Sequence, residues 1–322
     1  PFELKYIIDN FVRNPEIGFV PTDSIVMTVD KAAVLRSGMK LPHGKDSIPD
    51  KMYISLRGKR MLTKSEMMVY EMLAHHNWTR PLYMSTTLGG DNQAGLDNYL
   101  MLEGLAARIT PFNVGSGGTD SERMYDNFMN KFRYGNVADP KVYVDQTVMR
   151  TCYTHRMRFA QLAQQLIKEG KRDKALKALE KCEQVLPQRQ VPYEVWSLGI
   201  DTKKHLLMMP ECYRELGKTK EAEAILKSVA DRALAYFDWY NSFSESRLSS
   251  MSGDIMQQYE ILGMALDGLQ ACKSSLIENY KKRADVLAGT PAGRVLISAM
   301  NARRAADAQR YLPEDAEEGA EY

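Results

Sequence analysis

The sequence has few features that would point directly to chemistry or to a membrane span. Its cysteines stand singly, without the C-x-x-C spacing of zinc sites and redox motifs; they are Cys152, Cys182, Cys212 and Cys272. The 43 basic side chains nearly balance the 41 acidic ones, so the basic excess of a nucleic-acid-binding domain is missing. No stretch approaches the roughly 20 apolar residues that a membrane-spanning helix needs.

The N-terminus lacks the basic, apolar and small-residue order of a signal peptide. It begins PFELKYIIDNFV without Met, and we therefore expect a piece of a longer protein, with targeting and membrane segments upstream. A length of 322 residues with 44% hydrophobic residues is enough for two folded domains of ordinary size.

The cysteines are interpreted mainly as small buried apolar side chains. A disulfide between Cys182 and Cys212 stays open for an oxidising compartment, because the two lie on helices that we expect to pack together. We predict no metal site and no cofactor.

The first part of the chain has the pattern of an α+β domain. Residues 1–21 form a lead-in segment that is irregular or partly helical. The runs SIVMTV (24–29) and KMYISL (51–56) are β-branched and aromatic, which is typical of strands. A helix follows from a capping box at Thr63 and Glu66, with apolar side chains at helical spacing.

The next segments predict a strand at 80–87, a helix over GLDNYLMLEGLA (95–106) and a strand at 107–112. The order β-β-α-β-α-β then builds a small mixed sheet with helices packed on it, in a domain of residues 22–118. The glycines after residue 113 lack the dinucleotide-binding and P-loop patterns, so we interpret them as a connection. Thr119 and Glu122 predict a second capping box.

The sequence predicts a helical domain over residues 119–310. This domain includes helical hairpins that are similar to tetratricopeptide repeats. In residues 156–187 the large, small, turn and terminal positions of such a repeat are occupied by Phe159, Leu162, Ala163, Leu166, Gly170, Ala175, Leu179, Cys182 and Pro187. Small residues allow close approach of two antiparallel helices, Gly170 permits the turn and Pro187 ends the second helix.

A second, weaker copy includes Leu206, Tyr213, Gly217, Ala222 and Leu226, with Pro210 at the small-residue position. The insertion QRQVPYEVWSLGI (188–200) separates the two copies. Residues 311–322 carry many acids and little apolar surface, which predicts a disordered tail.

Candidate catalytic residues do not form a convincing set. His75 and His76 are adjacent, so on a helix they point about 100° apart and cannot chelate one metal. We interpret Asp91 as a helix cap, and Ser85 to Thr87 lack the G-x-S-x-G elbow of a serine nucleophile. Arg80 is the best candidate for holding an anion, although an ion pair with the preceding helix explains it more simply.

Candidate binding residues include a run that is dense in aromatic side chains. Tyr236, Phe237, Trp239, Tyr240 and Phe243 crowd into eight residues, as either core or an anchoring surface for a peptide or glycan. The low-ranking binding candidates are Arg80, Tyr83, Arg156, Trp239 and Tyr240. In NWTRPLYMSTT (77–87) we predict that Trp78, Arg80, Pro81 and Tyr83 form a structural corner from helix to strand, because Pro81 disfavours helix at Arg80.

Together, NWTRPLYMSTT, GLDNYLMLEGLAARITP, RMYDNFMNKFRYGN and the turn at residues 191–193 resemble the C-terminal region of a bacterial family. Its members are multi-pass membrane proteins of unknown function, grouped with protein O-mannosyltransferase-like glycosyltransferases. The resemblance covers most of residues 20–240. It implies a region outside the membrane, on the extracytoplasmic (periplasmic) face, and gives this chain no catalytic residue.

The resulting hypothesis is a non-catalytic extracytoplasmic domain that binds a protein partner or acceptor on its helical repeats. Any binding of a glycan or lipid-linked sugar would occur through the parent protein. We expect no binding of nucleic acid. One alternative is an enzymatic or glycan-binding α+β domain in which Arg80, His75 and Asp97 line a pocket. Another is a free-standing cytoplasmic tetratricopeptide scaffold.

Overall fold

A computed structural model describes residues 1–42, 44–89, 92–115, 117–193 and 203–310. The chain divides into two compact units, Pro1–Arg133 and Tyr134–Tyr322. The first is an α+β unit and the second is helical, which confirms the predicted fold class. Asp91, the C-terminal part of the predicted insertion (194–200) and the acidic tail (311–322) lie outside the described residues.

The predicted strands at 24–29 and 51–56 are confirmed as β2 (Ser24–Thr28) and β3 (Lys51–Ser55). They pair antiparallel with Ile25 opposite Ile54, and both of these side chains are buried. Along β3 exposed and buried residues alternate, as expected of a strand with one face on a core. A short strand, β1 (Phe2–Glu3), adds in parallel to the other edge of β2.

The described residues form two sheets, whereas the sequence predicts a single mixed sheet. The first sheet contains β1, β2 and β3, and the other strands form the second. Its order is β4 (Tyr83–Ser85), β6 (Ala106–Ile109) and β5 (Leu100–Leu102), and all pairs are antiparallel. The helix predicted over residues 95–106 is therefore wrong. Gly95 and Gly104 have φ angles of 71° and 148°, which a helix interior cannot use, and the residues between them form a 3₁₀ turn and a strand.

Three helices complete the α+β core. Residues 1–21 are more than a lead-in, because Leu4 of α1 (Leu4–Ile7) and Ile8 of the π-helical turn Ile8–Val12 are buried in this core. The sequence analysis missed α2 (Lys31–Arg36), whose N-cap Asp30 accepts a hydrogen bond from the Ala33 amide. The capping box of α3 (Lys64–Ala74) is confirmed.

The helix after the glycines begins differently from the prediction. Asp120, not Thr119, caps α4 (Ser121–Asp126) by accepting the Arg123 amide, because a carboxylate is also a strong cap. A π-helical turn, Asn127–Lys131, continues it. Both belong to the first unit, whereas the sequence analysis assigned them to the helical domain that begins at residue 119.

The second unit contains two helical hairpins. The first is α5 (Gln146–Lys168) with α6 (Arg172–Val185), and Gly170 turns between them at φ 75°. Short α7 (Lys203–Leu206) precedes the second hairpin, α8 (Met208–Glu215) with α9 (Thr219–Tyr240), where Gly217 turns at φ 77°. Phe159, Ala163, Ala175 and Ala222 are fully buried.

The remaining helices are α10 (Glu245–Ser250), α11 (Ser252–Ala271), α12 (Ile277–Leu287) and α13 (Pro291–Arg310). Helices α9 and α11 pack closely, since a Cβ added to Gly268 would lie 2.5 Å from a methyl carbon of Leu226. In the described part of the chain, no helix has both the length and the apolar character to cross a bilayer.

Candidate functional site

Trp78 forms the corner between α3 and β4. Its side chain is 1% exposed, its φ angle is 61°, and the His76 ring meets it edge-on with ring centroids 4.7 Å apart. Arg80 and Pro81 are exposed, and Arg80 forms no ion pair within the described residues, so the simpler explanation for it does not hold. Tyr83 keeps 44% of its surface exposed, so the buried side chain at this corner is that of Trp78.

Beneath Tyr83 lies a buried charge cluster that the sequence analysis missed. The Tyr83 hydroxyl donates to Glu103 Oε2 at 2.6 Å, and Arg108 and Arg123 lie 3.8 and 3.6 Å from Glu103 Oε1. Glu103 is 4% exposed and Arg108 only 1%. Burial, and then the hydrogen bond to Glu103, raise the pKa of Tyr83. Strand pattern alone cannot distinguish an inward arginine from an outward one.

The charge cluster connects several elements of the first unit. Arg108 donates to the Ser37 carbonyl at 3.2 Å and Arg123 to the Gly38 carbonyl at 2.7 Å, both just after α2. The Asn127 side chain donates to the Glu103 carbonyl at 2.7 Å. Each of these hydrogen bonds joins segments that are distant in sequence, so the cluster helps to hold the first unit together.

The described histidines and cysteines lie in different surroundings. His75 is half-exposed beside Glu71, while burial, followed by the nearby Arg108 charge, lowers the pKa of His76. Asp97 begins an exposed 3₁₀ turn. All four cysteines are free thiols, so the open disulfide pairing is not formed, and burial raises the pKa of Cys182 to about 12. Among the described residues, no three His, Cys, Asp or Glu side chains gather as metal ligands.

Arg156, a predicted binding residue, uses its guanidinium group for hydrogen bonds within the protein. It is 4% exposed and donates to the carbonyls of Leu186, Val191 and Pro192 at 2.5 to 2.8 Å. Its guanidinium carbon also lies 4.4 Å from the centre of the Tyr193 ring. The side chain therefore fixes the turn after α6, and it has little surface left for a ligand.

The aromatic run at the end of α9 divides between core and surface. Phe237 and Tyr240 are buried, which removes Tyr240 as a binding residue, whereas Trp239 is 49% exposed. Trp239 meets Phe243 edge-on at 4.8 Å, and the Arg247 guanidinium lies 5.8 Å from the Phe243 ring centre. We call Tyr236, Trp239, Phe243 and Arg247 the aromatic patch.

The first unit carries an open groove that the sequence analysis did not predict. Its volume is about 710 Å³, and it lies between residues 11–23 and 56–67. Apolar lining side chains include Phe11, Val20, Leu56 and Met67, and three cations, Arg57, Lys59 and Arg60, also line it. The two segments are far apart in sequence, so the sequence alone does not show that they come together to form a groove.

Comparison with known proteins gives one match. Residues 3–128 match the family model described as TMEM260-associated domain 2, which covers nearly all of the first unit. No curated protein and no solved structure shows a significant match. The match fits a TMEM260-like membrane protein family and so agrees with the resemblance at that level. It does not extend to the mannosyltransferase relation or to the helical repeats.

Proposed function

We propose that this chain is a non-catalytic part of a membrane protein, on the extracytoplasmic side, that binds a protein partner or acceptor through its helical unit. The attached membrane region would be related to protein O-mannosyltransferase-like glycosyltransferases, as the sequence resemblance implies. Partner binding would then hold acceptor proteins near that region.

Tetratricopeptide-like packing of the two hairpins is part of this proposal. The glycines at positive φ between the paired helices, the buried alanines and Pro187 just after α6 support it. Stacked hairpins of this type offer an extended surface to a partner, because each hairpin contacts only its neighbours.

The observation that carries the proposal is the exposure of the aromatic patch. Tryptophan, tyrosine and arginine dominate the binding energy of protein interfaces, since large rigid side chains bury much area at low entropic cost. Trp239 is half-exposed at the end of a long helix, next to two other rings. The free energy gained on binding grows with the apolar area that a partner covers, and a tryptophan side chain offers a large area.

The state of the polar groups favours binding over catalysis. The Tyr83 hydroxyl is held by Glu103, and the buried thiols have raised pKa values, so neither is an activated nucleophile.

The test is capture of proteins from an extracytoplasmic extract on the immobilised chain, with Trp239→Ala as the variant. We expect the variant to lose at least about tenfold of the capture, as for a hot-spot residue. Tyr143→Ala is the matched control, because Tyr143 is 88% exposed in the same unit but outside the aromatic patch. Equal capture by all three proteins would contradict the proposal, as would a patch that binds free sugar alone in calorimetry.

A further inference from the structure

A row of aromatic rings crosses the surface of the first unit. Phe2, Tyr6, Phe11 and Phe19 follow one another with ring centroids 5.9, 6.1 and 6.3 Å apart. Phe2, Tyr6 and Phe19 expose 44%, 48% and 67% of their surface. We call these four residues the aromatic row. A soluble protein seldom exposes a contiguous apolar strip of this kind without a use for it.

The groove extends the apolar surface beyond the aromatic row. Phe11 and Phe19 line one side of it, and Met61, which is 77% exposed, lines the other. Helix α3, which packs against the helical turns that carry Tyr6 and Phe11, exposes Met68 and Met72 by 68% and 53%. The exposed apolar side chains are thus spread over several elements rather than confined to the groove.

Cations border this apolar surface. The segment of residues 57–64 contains four basic side chains and no acid: Arg57, Lys59, Arg60 and Lys64. Arg57 pairs with Asp23 at 3.1 Å, but both side chains are mostly exposed, so the pair is weak. Lys59 pairs with Glu66, a buried member of the α3 capping box. Arg60 is exposed at the groove, where it can meet an anion.

We propose that this face of the first unit lies on an anionic lipid surface. The side chains of Phe19 and Met61 enter the interfacial layer, the aromatic row lies along it, and Arg57 and Arg60 contact lipid phosphates. Aromatic side chains favour the level of the headgroups, and basic residues next to apolar ones strengthen attachment to anionic membranes. This inference is independent of the partner-binding proposal, which concerns the second unit.

The extent of the apolar surface favours a lipid surface over a peptide. An acidic, apolar peptide would satisfy the groove and its cations, but it would leave Phe2, Tyr6 and the α3 methionines exposed. A bilayer is extended and fluid, so it can cover exposed apolar side chains that are carried by several elements. The match of this unit to a domain associated with a membrane protein family is consistent with a nearby bilayer.

The experiment is sedimentation of the full chain with vesicles of phosphatidylcholine alone or mixed with phosphatidylserine, at low and high salt. We expect binding to the anionic vesicles that weakens with salt, since exposed charges are screened. Arg57→Gln with Arg60→Gln should lower the partition coefficient about 25-fold, which corresponds to about fivefold for each cation near an anionic surface. Phe19→Ser with Met61→Ser should reduce binding to both vesicle types.

Leu35→Ser with Arg36→Gln is the matched control, because both residues are exposed on α2, away from the groove lining. Phe19→Trp adds a fluorescence reporter, whose emission should shift to shorter wavelength with anionic vesicles. Absence of vesicle binding would overturn the proposal, and so would equal loss in the control variant. A shift of the reporter with an acidic, apolar peptide but not with vesicles would overturn it in favour of a peptide groove.

Discussion

The two units bring their elements together in different ways. The first packs large side chains and charges: Trp78 and Tyr70 fill its core, and Arg108 faces Glu103 out of contact with water. The second packs helices closely through small residues, such as the fully buried Ala163, Ala175 and Ala222 and the Gly268 contact with Leu226. The first unit should therefore be sensitive to lost atoms and the second to added ones.

Among the described residues, the two buried arginines, Arg108 and Arg156, also differ between the units in the groups that they contact. Arg108 lies against a carboxylate, so removal of Glu103 leaves a buried cation without its counter-charge, and removal of Arg108 leaves Glu103 with Arg123 as its neighbouring cation. Arg156 donates to three neutral carbonyls and contacts a ring, so its charge is spread over dipoles of the chain itself. A buried arginine thus holds two strands and a helix end together in one unit and closes a loop in the other.

The largest expected effect is on the first unit. Trp78→Ala should lower its free energy of unfolding by about 3–5 kcal/mol, because a fully buried indole leaves a large cavity. Chemical denaturation of the full chain, followed by circular dichroism, measures this. Trp78→Phe keeps most of the buried area and should lose less. An unchanged unfolding transition in Trp78→Ala would show that the corner does not depend on this side chain.

A slightly smaller loss is expected when the charge cluster is broken. Arg108→Met should cost about 3 kcal/mol, because Glu103 stays buried while its most buried cationic neighbour is gone. Arg108→Met combined with Glu103→Leu should recover part of that loss, since two apolar side chains need no partner. Urea unfolding of both variants measures the difference. A double variant less stable than the single one would contradict this account of the cluster.

The smallest expected effect tests the second unit. Gly268→Ala should cost about 1–3 kcal/mol from overpacking against Leu226, partly offset by about 1 kcal/mol of better helix propensity. Gly263→Ala lies in the same helix, where an added Cβ meets nothing within 4 Å, so it should stabilise by about 0.5–1 kcal/mol. Thermal unfolding distinguishes the two signs. Equal shifts would show that the α9–α11 contact yields easily.

Local patterns predicted some elements well. The capping box at Thr63, the strands around Ile25 and Ile54 and the division into α+β and helical regions all arise from short-range signals. The helix predicted over residues 95–106 fails because strand pairing with β6 and two glycines at positive φ outweigh an apparent helical pattern. The groove and the charge cluster depend on contacts between distant segments.

Arg156 and Tyr240 were predicted as binding residues, but both are buried. The helical spacing of the apolar residues could have predicted this burial. Arg156 precedes Phe159, Ala160 and Ala163 by three, four and seven positions, so it lies on the buried stripe of α5. Phe237 and Tyr240 likewise continue the buried stripe of α9, while Trp239 falls outside it. A residue's position relative to the stripe is a better guide to its exposure than its chemical type.

Because Arg156 binds the carbonyls of residues 186–192, the first hairpin is closed by contacts made within residues 146–193. The turn at residues 186–192 is therefore held against α5 by the guanidinium group of one side chain.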